Sequence, residues 1–190
     1  MYAVALALPV LAISIYLRVG NPGAMKLSAE TDVSSGQDTS QFNEQRIQAN
    51  VASLAKRLDQ NPDDIEGWIM LARSYTSLGR YADATGAYAK ATAVKTDDAE
   101  LWADYAFAMA MANGRKLQGQ PLEFVNKALK LDPENAKALE LAGSAAFEAK
   151  KYKQAIEYWQ KLLVRTPADS DVGQALTQKI AEAKRLSAGQ

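Results

Sequence analysis

The sequence predicts an all-α fold built from stacked helical hairpins, and three observations carry that prediction. Every apolar period after Phe42 is helical, with large and small apolar residues recurring at the spacing of one helix face. No run of alternating β-branched residues suggests a strand. Trp102 follows Trp68 at an interval of 34 residues, and similar residues surround both.

Composition narrows the function classes. The 190 residues are 48% apolar and 23% charged, an ordinary globular balance. Lys plus Arg and Asp plus Glu number 22 each, so no net field draws the chain toward nucleic acid. There is no cysteine and no histidine, which removes thiol nucleophiles, zinc–thiolate sites, the commonest general base and the commonest haem ligand. The chain is therefore expected to be neither an enzyme nor a holder of metal or cofactor, and to take no small-molecule substrate.

Residues 1–17, "MYAVALALPVLAISIYL", carry no charge before Arg18, the short end of what spans a bilayer. A cleaved signal peptide would start with a basic region and end in a small-residue cleavage site, and "RVGNPGAMK" offers only a poor one. A core helix would not be followed by a polar tail, so 1–19 reads as a membrane anchor. Residues 20–40 are rich in Gly, Ser, Thr and Asp without an apolar period and read as a flexible tether. The folded domain is expected over 41–188.

The elements follow in order. "FNEQRIQANVASLAKRLDQNPDD" reads as an N-terminal capping helix. The first hairpin carries Trp68, Leu71, Ala72 and Tyr75, then Gly79, Tyr81, Ala84, Tyr88 and Ala91. The second carries Trp102, Tyr105, Ala106 and Met109, then Ala128 and Pro133, with about three extra residues within 113–120. A third has Leu139, Ala142, Gly143 and Ala146, then Tyr152, Ala155, Trp159 and Pro167. The "KKYK" run, 150–153, falls at its turn as solvated surface. Ser170 caps a last helix whose Val172, Leu176, Ile180 and Ala183 form an apolar stripe. A single hairpin cannot bury its own apolar face, so the hairpins must stack, and Trp68, Tyr75, Tyr88, Trp102, Tyr105 and Trp159 are expected to supply the packing area.

This pattern resembles the tetratricopeptide repeat, a right-handed superhelix in which the first helix of each repeat lines a concave wall. The resemblance implies about three repeats plus two capping helices. It also implies a groove lined by Glu66, Ile69, Arg73, Thr76 and Ser77, by Glu100, Ala103, Phe107, Ala110 and Met111, and by Lys137, Glu140, Ser144, Phe147 and Glu148. Ile69, Phe107, Met111 and Phe147 would then be solvent-facing apolar residues on a polar wall, which points to a protein partner. Arg73 could grip a carboxylate in bidentate fashion. Cover of Phe107 and Phe147 by the inserted loop or the C-terminal cap is the competing expectation.

The "GWIMLARSY" block, the "NGRKLQGQPL" insertion, the "ALKLDP" helix end and "GSAAFEAKKYKQAIEYWQKLL" resemble more specifically the periplasmic domain of the cytochrome c biogenesis family CcmI, also called CycH, and the related NrfG. The resemblance covers residues 61 to about 167. It implies a chaperone on the bacterial inner membrane, its repeat domain in the periplasm, whose groove captures the C-terminal helix of apocytochrome c. Delivery would be to the haem ligation complex with CcmF and CcmH. A carrier for a chain whose own cysteines react with haem gains nothing from competing thiols or imidazoles. The alternative is a structural adaptor scaffolding another envelope complex. Longer members of the family have two membrane helices and a cytoplasmic loop, and this chain starts at what would be the second.

Overall fold

The structure, a computed structural model, describes residues 34–189, with side chains from 45 onward. Among the described residues there are eight helices and no strand: α1 (Ser34–Gln60), α2 (Ile65–Ser77), α3 (Tyr81–Val94), α4 (Ala99–Ala112), α5 (Gln120–Leu131), α6 (Ala136–Glu148), α7 (Tyr152–Leu163) and α8 (Asp171–Ala188). The anchor expected at 1–19 and the 20–33 part of the expected tether lie outside the described residues. Among those described, no helix is long and apolar enough to cross a membrane. Residues 34–40, expected within the tether, are helical, because α1 begins at Ser34. Once the following run has nucleated a helix, each added residue gains a hydrogen bond for one more fixed backbone position.

The repeat unit runs from Val51. Its helices α2 and α3, α4 and α5, and α6 and α7 pair as hairpins, with α8 on α7. Polar caps start the first helices. Asp64 accepts from the Gly67 amide at 2.8 Å, Asp98 from Leu101 at 3.0 Å and Asn135 from Ala138 at 2.9 Å. Ser170 does the same for α8, accepting from Gly173 at 3.1 Å. Each cap satisfies a backbone donor that the helix cannot.

A common device ends the first helices. Arg80 N–H donates to Tyr75 O at 2.8 Å, Arg115 to Ala110 O at 2.7 Å and Lys151 to Ala146 O at 2.9 Å. These bonds require a left-handed residue just before the donor, supplied by Gly79 (φ 70°), Gly114 (φ 69°) and, without a glycine, Lys150 (φ 58°). In the first and third hairpins the second helix starts directly after the donor. In the second hairpin, residues 116–119 intervene, which locates the insertion. It is not a free loop: Leu117 is buried and its N–H donates to Glu148 Oε2 at 3.2 Å, while Gln118 Nε2 donates to Ala145 O at 2.8 Å.

The core follows the large-and-small pattern. Trp68, Tyr88, Trp102, Tyr105 and Trp159 are buried, each burial worth about 1.5–3 kcal/mol. Tyr75 is half-buried, with the Arg80 guanidinium 4.4 Å from its ring centre. Tyr88 stacks on Tyr105 at 5.8 Å and Tyr105 on Phe124 at 4.4 Å, joining the first two hairpins. Gly143 gives Trp159 its place: a Cβ there would meet the indole nitrogen at 2.2 Å. On α8, Leu176, Ile180 and Ala183 are buried as expected, whereas Val172 is exposed and Gly173 takes the inward place. The stripe starts later because Gly173 abuts the backbone carbonyl of Pro167, leaving no room for a side chain there.

Candidate functional site

First helices of neighbouring hairpins touch, α2 with α4 and α4 with α6, while the second helices make no comparable contact with one another. The stack therefore bends with its first helices on the inner side. The caps fix where α2, α4 and α6 begin, and so set the register of the side chains along the wall.

The polar residues expected on the wall are engaged with one another. Asp104, only 8% exposed, accepts from Arg73 Nε at 3.1 Å and from Lys137 Nζ. Lys137 Nζ also donates to Glu100 Oε1 at 3.0 Å, and Asn135 Nδ2 to Glu100 Oε2 at 3.0 Å. The ladder continues onto α8, where Lys179 donates to Glu140 at 2.7 Å, itself bonded to Ser144. At the other end Glu66 pairs with Lys95 at 3.1 Å. Ser77 and Thr76 turn back to the carbonyls of Arg73 and Ala72.

These pairings shape the charge states. Burial opposes the charge of Lys137, yet Asp104 and Glu100 outweigh it and hold the ammonium above its ordinary range. Burial likewise favours neutral Glu100, but hydrogen bonds from Asn135 and Lys137 bring its carboxyl below the usual range. Arg73 keeps its charge the more firmly beside Asp104, despite partial desolvation. Its exposed guanidinium is anchored to Asp104 through Nε.

The apolar expectations divide. Ile69 is 5% exposed and belongs to the core, so it does not face the groove. Neighbouring first helices meet along that row, and its counterpart Ala103 is fully buried too, as is Ala110. Phe107, Met111 and Phe147 are half-buried. The two phenylalanines are covered from a source the sequence did not suggest, the first residue of a second helix: Tyr81 meets Phe107 edge-on at 6.2 Å, and Tyr152 meets Phe147 at 5.4 Å. The inserted loop engages Glu148 instead.

An open depression of about 430 Å³ remains beside Phe147, lined by Ser144, Glu148, Trp159, Gln178, Lys179 and Glu182. Three of these lie on α8, so the capping helix forms one wall of the groove. The Trp159 indole packs against Phe147 at 5.7 Å, and its buried Nε1 has no hydrogen-bond partner among the described residues. Sequence reasoning missed Asp104, Trp159 and the α8 residues. Asp104 had a readable signal: it is a charge at the position filled by Met70 and Leu141 in the other repeats. Among the described residues no cluster of acidic side chains suits a metal ion.

The chain is similar to known proteins over most of its length. Residues 27–172 match the family described as the cytochrome c-type biogenesis protein H TPR domain. Cytochrome c-type biogenesis protein CycH of Pseudomonas aeruginosa is 30% identical over 180 residues, 95% of this chain and 42% of that protein. The formate-dependent nitrite reductase complex subunit NrfG of Escherichia coli O157:H7 is 32% identical over 120 residues, 63% of this chain and 61% of that protein. The chain thus spans about half the length of these relatives. Among solved structures, MamA superposes with a TM-score of 0.61 at 18% identity, covering 78% of this chain and 82% of that one, a likeness of fold alone. With the helical hairpins, the 34-residue interval and the inserted loop all in place, this chain belongs to the tetratricopeptide-repeat family of the cytochrome c-type biogenesis protein H.

Proposed function

We propose that the chain acts in cytochrome c maturation as a membrane-anchored periplasmic chaperone. It binds the C-terminal helix of apocytochrome c in the groove along α2, α4, α6 and α8, and presents the client to the haem ligation complex containing CcmF and CcmH. The single observation that carries this reading is the open depression at Phe147, unfilled by the described residues. Half-buried Phe107 and Met111 lie along the same wall, and an amphipathic helix docks by laying apolar side chains, one turn apart, into such a row of contacts. The ladder of Arg73, Asp104, Lys137 and Glu100 has another part in this reading. It holds the first helices in one geometry, so the groove is preformed and binding spends little on ordering it. Biogenesis-protein relatives support the pathway.

The test is a titration of the chain with a peptide of an apocytochrome C-terminal helix. Binding is expected in the micromolar range, weakened at least about tenfold by Phe147→Ala, a loss of roughly 1.4 kcal/mol. Absence of binding at high peptide concentration, or indifference to Phe147→Ala and Phe107→Ala together, would overturn the reading. Normal covalent haem attachment in a deletion strain would favour the adaptor role for another envelope complex.

A further inference from the structure

The repeats can be compared with each other at the first-helix position that Trp68 and Trp102 hold in the first two. Trp68 Nε1 donates to Pro62 O at 3.0 Å, and Trp102 Nε1 donates to Thr96 O at 2.9 Å, in both cases six residues back. In the second repeat Lys127 completes the slot, its Nζ 3.6 Å from the centre of the Trp102 ring. The third repeat has Leu139 at this position, and the carbonyl six residues back belongs to Pro133. Allowing for the insertion, the counterpart of Lys127 is Lys161.

All three of these residues line an open cavity of about 400 Å³, together with Glu134, Val164 and Arg165. Leu139 is itself 2% exposed, so it floors the cavity without filling it. Pro133 O receives no hydrogen bond among the described residues, and Lys161 makes no ion pair among them. Val164, at the rim, is 88% exposed. The third slot therefore keeps the acceptor found in both neighbours and the counterpart of the second repeat's cation, and lacks only the indole.

We infer that this slot, at the junction of the α6 start and the α7 end, receives a tryptophan side chain from an acidic segment of a partner protein. The indole N–H would donate to Pro133 O, and Lys161 would lie over the ring, an attraction strengthened by desolvation. Charge decides the neighbouring residues. Arg165 is occupied by Glu134 at 2.6 Å, leaving Lys161 as the cation for a carboxylate beside the tryptophan. A second copy of the chain is a poor donor, since its three tryptophans are all buried. The slot shares no residue with the Phe147 depression, so the inference stands independently of the groove.

The test is amide NMR of the full chain titrated with the peptide acetyl-Asp-Trp-Asp-amide, with acetyl-Asp-Leu-Asp-amide as control. Saturable shifts at millimolar peptide are expected to cluster at 133–139 and 161–165, and to be absent with the leucine control. Leu139→Trp is expected to abolish them without lowering the unfolding temperature, because an internal indole then occupies the slot as in the other two repeats. Lys161→Glu, a surface change, is expected to weaken binding several-fold. Phe147→Ala is expected to leave it unchanged. Scattered or absent shifts, retained binding in Leu139→Trp, a lower unfolding temperature for that variant, or loss of binding in Phe147→Ala would each overturn the inference.

Discussion

Two residues carry backbone or packing constraints that their chemistry alone does not advertise. Gly143 lies against the Trp159 ring, with a virtual Cβ 2.2 Å from the indole nitrogen and 2.4 Å from the adjoining ring carbon. Gly143→Ala is therefore expected to lower stability by about 1–3 kcal/mol, the range for overpacking a filled core, read as a shift in the urea midpoint. Lys150 presents the opposite case. It holds the left-handed position that Gly79 and Gly114 hold in the other hairpins, at φ 58° with a full side chain. Lys150→Gly should raise stability by about 1 kcal/mol, seen as a higher melting temperature; a decrease would show that the turn gains more from the lysine than it loses in strain. Both positions could be located from the repeat pattern. Their signs could not, because a sequence records neither φ nor the distance to a neighbouring ring.

Helix caps are the corresponding feature at the scale of elements. Asp64, Asp98 and Asn135 all stand before first helices, and each side chain accepts from the amide three residues on. Asp98 also meets Lys95 at 3.3 Å, and the net result of burial, cap and ion pair is a carboxyl held below its ordinary range. Asp98→Ala should lower stability by about 1 kcal/mol, measured by thermal unfolding, with Asp98→Asn recovering most of it because the cap bond survives. The spacing that revealed the hairpins contained this information, since each cap stands four residues before Trp68, Trp102 or Leu139. The insertion was legible as extra residues but not as a strap: Leu117 entering the core and Gln118 reaching Ala145 depend on which surface the loop meets.

At the scale of the whole molecule, the first helices are linked by charges belonging to different hairpins. Glu100 and Asp98 have depressed carboxyl pKa values in the folded state, so their contribution is complete above the ordinary carboxylate range, near pH 4, and is lost as the pH falls through the folded values. Lys137 works in the other direction, its contribution complete below the ordinary lysine range and lost as the pH rises through its raised value. Stability should thus fall on acidification below about pH 4, and the fall should be shallower in Glu100→Gln when urea midpoints are compared at neutral and acid pH. An acid profile identical to that of the unaltered chain would remove Glu100 from the account.

By itself the sequence determined the class of the fold, the number of hairpins and the site of the insertion, because each depends on periodicity along the chain, while the family was legible through the resemblance of particular blocks. It also identified Trp68, Tyr88, Trp102, Tyr105 and Trp159 as packing residues, since a hairpin must bury what it cannot cover alone. Only the tertiary structure decided which wall positions remain open. Ile69 is lost to the core where neighbouring first helices meet, Phe107 and Phe147 are half-covered by Tyr81 and Tyr152, and α8 becomes a wall of the groove. Exposure depends on residues distant in the chain that come close in space, and no local period encodes that distance.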